Sequence, residues 1–375
     1  MEGSPLRVLI LGGGVAGLET LMGLRELAGN RVALTLAAPD DEFVYRPVTI
    51  AQPYSVRDRR RIALAQAAED AGATFVAATI DTVDSKGKTV LTSSGERMAY
   101  DALVLAVGAQ AIPALDHVMT WDDRSDSKML GGLLRDSEEG YLERLAVVIP
   151  PGPGWPLRGY ELALLITQRA YDGSVEIHTT IVQPEPPPLA LLGDRAVSGI
   201  EAELEQARIT VVSAEHVSIE RGHRVGIVLQ PSRQRLEVDR ALAMPVLRGA
   251  TIGGIPADDH KLIPIDSLCR VEGLERVWAA GDCTAFPVKS GGVAAEQADV
   301  IAGDIAAIAG ADVEPRSFDP GHALKLAGLP APRFIERRLA TQEPGLAMHV
   351  PSTGVPVLTY LQKDLAAGWR GETGE

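Results

Sequence analysis

The sequence predicts an α/β protein of two three-layer domains, the second inserted in the first, plus a small C-terminal region. Three observations carry that expectation. An apolar run at Leu6–Leu11 feeds a glycine-rich turn and then an amphipathic segment. The same order restarts at residue 144: an apolar run, a Pro/Gly loop, a helical pattern. Far along the chain, Val277-Trp278-Ala279-Ala280 runs into Gly281-Asp282, and another helical pattern follows. A strand–turn–helix unit that restarts inside a chain points to duplicated parallel-sheet domains.

In order, residues 1–115 read as the first part of one domain. Its strands fall at 6–11, 31–37, 74–79 and 101–107, where apolar and β-branched residues cluster between turn signals. A helix is expected over 63–71, and 81–98 alternates through Gly87 and Gly95 like an antiparallel hairpin. Residues 116–240 form the inserted domain. It opens on a polar, turn-rich crossing over 116–139 and continues with strands at 144–149, 175–182 and 209–212. Helices at 159–170 and 196–206 alternate with them, and 224–230 with 235–238 forms a hairpin. Residues 241–310 return to the first domain and end in a helical run over 293–309. Residues 311–375 form a tail in which Leu358, Leu361, Leu365 and Trp369 recur at helical spacing. That stripe suits a helix packed on its own fold, a homodimer contact or peripheral docking on a membrane surface.

Composition narrows the class. A 375-residue chain with 46% apolar and 23% charged residues is ordinary for a globular protein with real cores. A net charge of −14 argues against nucleic acid as a partner, and the four Arg within 57–61 read as a solvated face. Cys269 and Cys283 have no CxxC spacing, so neither a disulfide framework nor a metal site is expected. The first strand begins almost at once and no run reaches membrane-spanning length, which makes a cytoplasmic location the expectation.

The turns carry the chemistry. In Gly12-Gly13-Gly14-Val15-Ala16-Gly17, Gly12 makes the tight turn and Gly14 lets backbone approach a pyrophosphate. Gly17 lets the helix pack closely on the strand, and the helix N-terminus around Val15 and Ala16 offers N–H groups to phosphate. Both domains are thus expected to be Rossmann-like dinucleotide folds. The later turn selects FAD over NAD. Asp282, at a strand end after Gly281, can accept hydrogen bonds from ribityl hydroxyls. The helix starting at Gly292 and Val293 can face the ring edge where negative charge gathers on reduction.

With these motifs and Phe43-Val44-Tyr45-Arg46-Pro47, the run from Tyr100 to Gly108, and Lys289-Ser290-Gly291-Gly292, the chain resembles the pyridine nucleotide–disulfide oxidoreductase superfamily. It looks most like the branch of sulfide:quinone oxidoreductases and type II NADH dehydrogenases. The resemblance runs from residue 6 to about 310, with a weaker stretch over 332–339. It implies an FAD-dependent NAD(P)H:acceptor oxidoreductase, with a small-molecule acceptor such as a quinone. It implies that Arg46 and Pro47 lie beside the flavin, that Gly108 turns near the pyrophosphate, and that Thr79 and Ile80 meet the adenine through backbone. Lys289 is implied as the cation beside the reduced flavin, and Glu161 as the carboxylate near the nicotinamide.

Four departures qualify it. The acid that usually ends the second strand is replaced by Ala37-Ala38, with Asp40 and Asp41 beyond. Residues 43–53 lack the CxxxxC pair of disulfide reductases, and the inserted domain has no cysteine to carry sulfur. The second fingerprint, Pro150-Pro151-Gly152-Pro153-Gly154-Trp155-Pro156-Leu157-Arg158-Gly159, trades N–H donors for prolines. Gly152 and Gly154 still permit close approach there, and Arg158 can bind phosphate, so NAD(P)H is the expected co-substrate. Glu185, past the strand at 175–182 with no Arg following, leans toward NADH. Two rivals stay open: an FAD enzyme oxidising a small substrate without NAD(P)H, and a flavin-bound sensor or interaction protein with little turnover.

Overall fold

The computed structural model describes residues 4–44, 61–121, 126–184, 190 and 194–318. Five parallel strands form the first sheet, in the order Val277–Ala279, Ala102–Leu105, Leu6–Leu11, Val32–Ala38, Thr74–Ala77. Helix α1 (Val15–Ala28) connects the strands Leu6–Leu11 and Val32–Ala38. The central strand is apolar on both faces, as an interior parallel strand must be. Val8 and Ile10 join Leu18, Leu21 and Leu24 of α1 in one core, whereas Leu9 and Leu11 pack with Val83, Val90 and Tyr100 on the other side. Helix α2 (Leu64–Asp70) adds Leu64 and Ala67 to the first core.

The region 81–98 extends the expected hairpin into a three-stranded antiparallel meander, Ile80–Asp84, Thr89–Thr92 and Arg97–Ala99. Chain order reverses about the central strand, with Val32–Ala38 on one side and Ala102–Leu105 on the other. Ligands of open α/β sheets lie in the crevice outside such a switch point. The strand Val277–Ala279, supplied after the long excursion, closes that edge of the sheet against Ala102–Leu105.

The second sheet repeats the plan in the order Met119–Thr120, Arg240–Ala243, Arg144–Val148, His178–Gln183, Thr210–Ser213, again all parallel. The strand Arg240–Ala243 pairs with Arg144–Val148, so this sheet runs a few residues past 240. A three-stranded antiparallel sheet, His216–Glu220, Val225–Gln230 and Arg235–Val238, covers one of its faces through Ile227 and Leu229. The expected open crossing over 116–139 holds helix α3 (Asp126–Glu138). Gly131 and Gly132 hide it in the sequence, since each costs a helix interior about 0.5–1 kcal/mol. Burial of Met129 and Leu133 against the second core outweighs that cost. Helices α4 (Pro156–Asp172) and α5 (Asp194–Gln206) follow, and α6 (Gly291–Ile308) packs beside α1 on the first sheet.

One buried group sets a pH dependence of stability. Glu19 of α1 is fully buried, neither carboxylate oxygen has a hydrogen-bond partner, and burial, with Asp299 nearby, pushes its pKa up to about 9. The folded state therefore holds a proton that the unfolded chain releases from about pH 4.5 upward. That contribution favours folding at low pH and is lost as pH rises toward 9. Glu19→Gln is expected to gain about 4 kcal/mol on the wild type between pH 5 and pH 8, read by denaturant titration at both values. Parallel wild-type and variant stability profiles would contradict this.

Candidate functional site

At the first switch point the glycines divide the work as geometry demands. Gly12 has φ +114°, and a Cβ there would stand 2.1 Å from the Ala106 carbonyl oxygen. A Cβ on Gly17 would stand 1.8 Å from the oxygen of Gly12, so helix and turn touch backbone to backbone. Gly14 is exposed and nothing lies within 4 Å of where its Cβ would be. It is the N-cap of α1 and has no side-chain cap, which leaves the first-turn N–H groups around Val15 and Ala16 to a ligand. The cradle therefore fits a pyrophosphate. Gly108, with φ +69° and open space around it, turns the chain on the neighbouring strand end.

The two distant halves of the site meet at Gly281. Its φ is +79°, and a Cβ there would stand 3.2 Å from Ala16 Cβ and 3.6 Å from Ala294 Cβ, wedged between the starts of α1 and α6. The Gly281 N–H donates to Gln297 Oε1 at 2.7 Å, which fixes the turn that presents Asp282. Asp282 is half-buried, and its Oδ2 accepts from the Trp155 indole N–H at 3.0 Å. Ser290 caps α6 through its Oγ, which accepts from the Val293 N–H at 3.1 Å. Val293 is buried and already engaged at its backbone, while Gly292 lies half-exposed at the helix start.

Lys289 is 2% exposed and donates through Nζ to the Thr284 carbonyl. Burial pulls its pKa down to about 8, against the opposing pull of Asp282, Cys283 and Asp258. It is thus a cation at neutral pH, held in a place water barely reaches. Cys283 donates to the carbonyls of Leu105 and Ala280 at 3.3 and 3.2 Å, and burial pushes its thiol up to about 11. Burial also raises Cys269. Neither is a ready thiolate at neutral pH.

The second switch point is more filled than the first. Gly159 takes the close-packing role, since a Cβ there would stand 2.8 Å from Ile149. Gly152 is exposed with φ +106°, whereas Gly154 is buried, its Cβ position 3.2 Å from the Pro245 oxygen. Leu247 N–H donates to the Pro153 carbonyl, and Gly154 bridges Val288 of the other domain. Arg158 stacks over the Trp155 ring at 5.6 Å, and Glu161 lies buried in the second turn of α4. The strand expected to lead to Glu185 ends at Gln183, whose Oε1 accepts from the buried Tyr160 hydroxyl.

The fold thus brings Gly12, Gly14, Gly17, Gly281, Asp282 and the start of α6 to one crevice. Thr79 and Ile80 begin the meander, where the Thr79 carbonyl accepts from Ser93 and Ile80 pairs with Thr92. Arg46, Pro47, Glu185, the 332–339 stretch and the leucine stripe of the tail lie outside the described residues. Sequence reasoning gave no role to Gln297 or Trp155. A glutamine in an otherwise apolar helix face, and a tryptophan in a Pro/Gly loop, were the available signals. Among the described residues no helix is long and apolar enough to cross a membrane, and no cluster of ligating side chains could hold a metal ion.

Known proteins share this frame. The chain is 26% identical over 315 residues, 76% of its own length, to apoptosis-inducing factor 3 of Mus musculus. It is 25% identical over 338 residues, 78% of its length, to the alternative NAD(P)H-ubiquinone oxidoreductase C1 of Arabidopsis thaliana. The matches span only 46% and 64% of those relatives' own lengths. The solved sulfide:quinone oxidoreductase of Aquifex aeolicus superposes with a TM-score of 0.67 at 18% identity, covering 80% of this chain and 76% of that one. At that identity the likeness speaks for the fold. The family model for pyridine nucleotide-disulphide oxidoreductases matches residues 6–300 and supports FAD with NAD(P)H as the cofactor pair. Matched by that model over most of its length, the chain belongs to the pyridine nucleotide-disulphide oxidoreductase family.

Proposed function

We propose that this protein passes reducing equivalents from NAD(P)H, with NADH preferred, through FAD to a small acceptor such as a quinone. The observation that carries the reading is the convergence at Gly281, where two helix starts and three adjacent parallel strand ends frame one crevice. FAD, when bound, supplies the carrier that accepts a hydride and releases electrons singly or in pairs. The chain's own residues do the rest. The α1 N-terminus, with Gly12, Gly14 and Gly17, holds the pyrophosphate, and Asp282 accepts from the ribityl hydroxyls. Lys289 supplies buried positive charge where the reduced ring carries negative charge. Arg46 and Pro47 wall the flavin; Gly152 and Arg158 hold the nicotinamide nucleotide; Glu161 orients its reactive ring; and Glu185 binds a free ribose hydroxyl.

The relative from Arabidopsis thaliana, whose name couples NAD(P)H to ubiquinone, supports the choice of acceptor class. A cytoplasmic site of action, with a homodimer or peripheral membrane contact through the tail, belongs to the same proposal. The test has two steps. Cofactor released by denaturation should be FAD by absorbance and chromatography, and the holoprotein should oxidise NADH faster than NADPH with a soluble ubiquinone analogue. FMN, or no flavin after reconstitution, would refute the first step.

A second reading rests on the filled second crevice, where Pro153 and Gly154 pack against Pro245–Leu247. On that reading FAD takes electrons from a small substrate directly. Holoprotein with FAD in place and no nicotinamide oxidation with any quinone would favour it.

A further inference from the structure

We propose that Trp155 is a positioning residue for the flavin site: its indole N–H, delivered by the inserted domain, fixes the Asp282 carboxylate for the ribityl hydroxyls. The proposal rests on the FAD reading above and deepens it. It makes the FAD pocket a joint product of both domains, complete only when the inserted domain's Pro/Gly loop is seated.

The geometry is specific. Trp155 precedes α4 in a loop, a place where large rings are usually exposed, yet it is 7% exposed. Its Nε1 donates to Asp282 Oδ2 at 3.0 Å across 127 residues of chain. The backbone beside it is locked in register with the other domain, since Gly154 bridges Val288 and the Lys289 N–H donates to the Gly154 carbonyl at 3.2 Å. From below, Gln297 holds the N–H of Gly281, the residue before Asp282, while Trp155 of the other domain holds the Asp282 side chain. Arg158, over the indole at 5.6 Å, adds a cation–π contact that holds the ring. A carboxylate has about four lone-pair positions, so Asp282 can accept the indole and ligand hydroxyls together. A hydrogen bond to a charged group is short and directional, which limits the rotamers the carboxylate can visit before the ligand arrives.

The experiment titrates FAD into full-length apoprotein and compares the wild type with Trp155→Phe, Asp282→Ala and the double variant. Phe keeps the ring and removes only the donor. Trp155→Phe is expected to raise the FAD dissociation constant about 10-fold in the wild-type background and to change it less than about 2-fold in the Asp282→Ala background. A loss of equal size in both backgrounds would show a packing role and overturn the proposal, as would unchanged affinity in Trp155→Phe. If the Phe variant does not fold, nuclear magnetic resonance of the wild type decides. Among four indole N–H resonances, one should move both with Asp282→Asn and on adding FAD. No shared resonance would overturn the proposal. Wild-type protein that takes up no FAD would fail differently, by removing the cofactor reading on which the proposal stands.

Discussion

Gly12→Ala is expected to lower stability by about 3–5 kcal/mol and to abolish FAD binding, because strain and overlap fall on one residue. The left-handed φ of +114° strains any side chain, and the added Cβ would stand 2.1 Å from the Ala106 carbonyl oxygen, which belongs to backbone and cannot swing away. Gly14→Val separates fold from ligand. Its φ is −82° and its Cβ meets open space, so the melting temperature should hold within a few degrees. If the proposed FAD site holds, the branched side chain would stand in the path of the pyrophosphate and block charge-assisted hydrogen bonds worth about 1.5–3 kcal/mol, which is about 10- to 150-fold in affinity. Thermal melts with FAD titrations read both variants. Equal damage to stability from both would contradict the division of labour.

Lys289→Met is expected to slow flavin reduction by NADH about 100-fold at pH 7, the scale of losing one preorganised electrostatic group. The charge matters because it is buried, where a nearby anion is little screened. The sign with pH follows from the direction of the shift. Burial takes Lys289 from 10.5 down to about 8, so the wild type loses this cation as pH rises through 8. The gap between wild type and variant should therefore close between pH 7 and pH 9. Stability moves the other way. Between about pH 8 and 10.5 the unfolded chain holds more protons than the folded one, so this group's contribution improves with rising pH. Stopped-flow reduction at several pH values checks the first claim, and a gap constant with pH would place the effect outside Lys289 ionisation.

Much of the frame was legible in the residues. The run Leu6–Leu11 reads as a buried strand, and the structure packs both of its faces. The fingerprint glycines announce a turn, and Gly12 and Gly17 prove to be places where backbone meets backbone. What stayed hidden depends on distant partners. Helix α3 forms through Gly131 and Gly132 because Met129 and Leu133 find a core that no local pattern reveals. Arg240–Ala243 is too short to declare which sheet it joins; register with Arg144–Val148 decides it. The Trp155–Asp282 bond joins two motifs that sequence reasoning treated as separate sites. The prolines at 150, 151 and 153 signalled a departure from an open nucleotide loop, and the contacts of Pro153 and Gly154 show its physical form.

On the proposed function, electrons enter from a nicotinamide and rest on FAD. Anaerobic mixing of the FAD-loaded protein with NADH, and separately with NADPH, tests it most directly. Bleaching of the visible flavin band is expected, with about one equivalent of nucleotide per FAD since hydride transfer is a two-electron step, and faster with NADH. A yellow protein that neither nucleotide bleaches would contradict it.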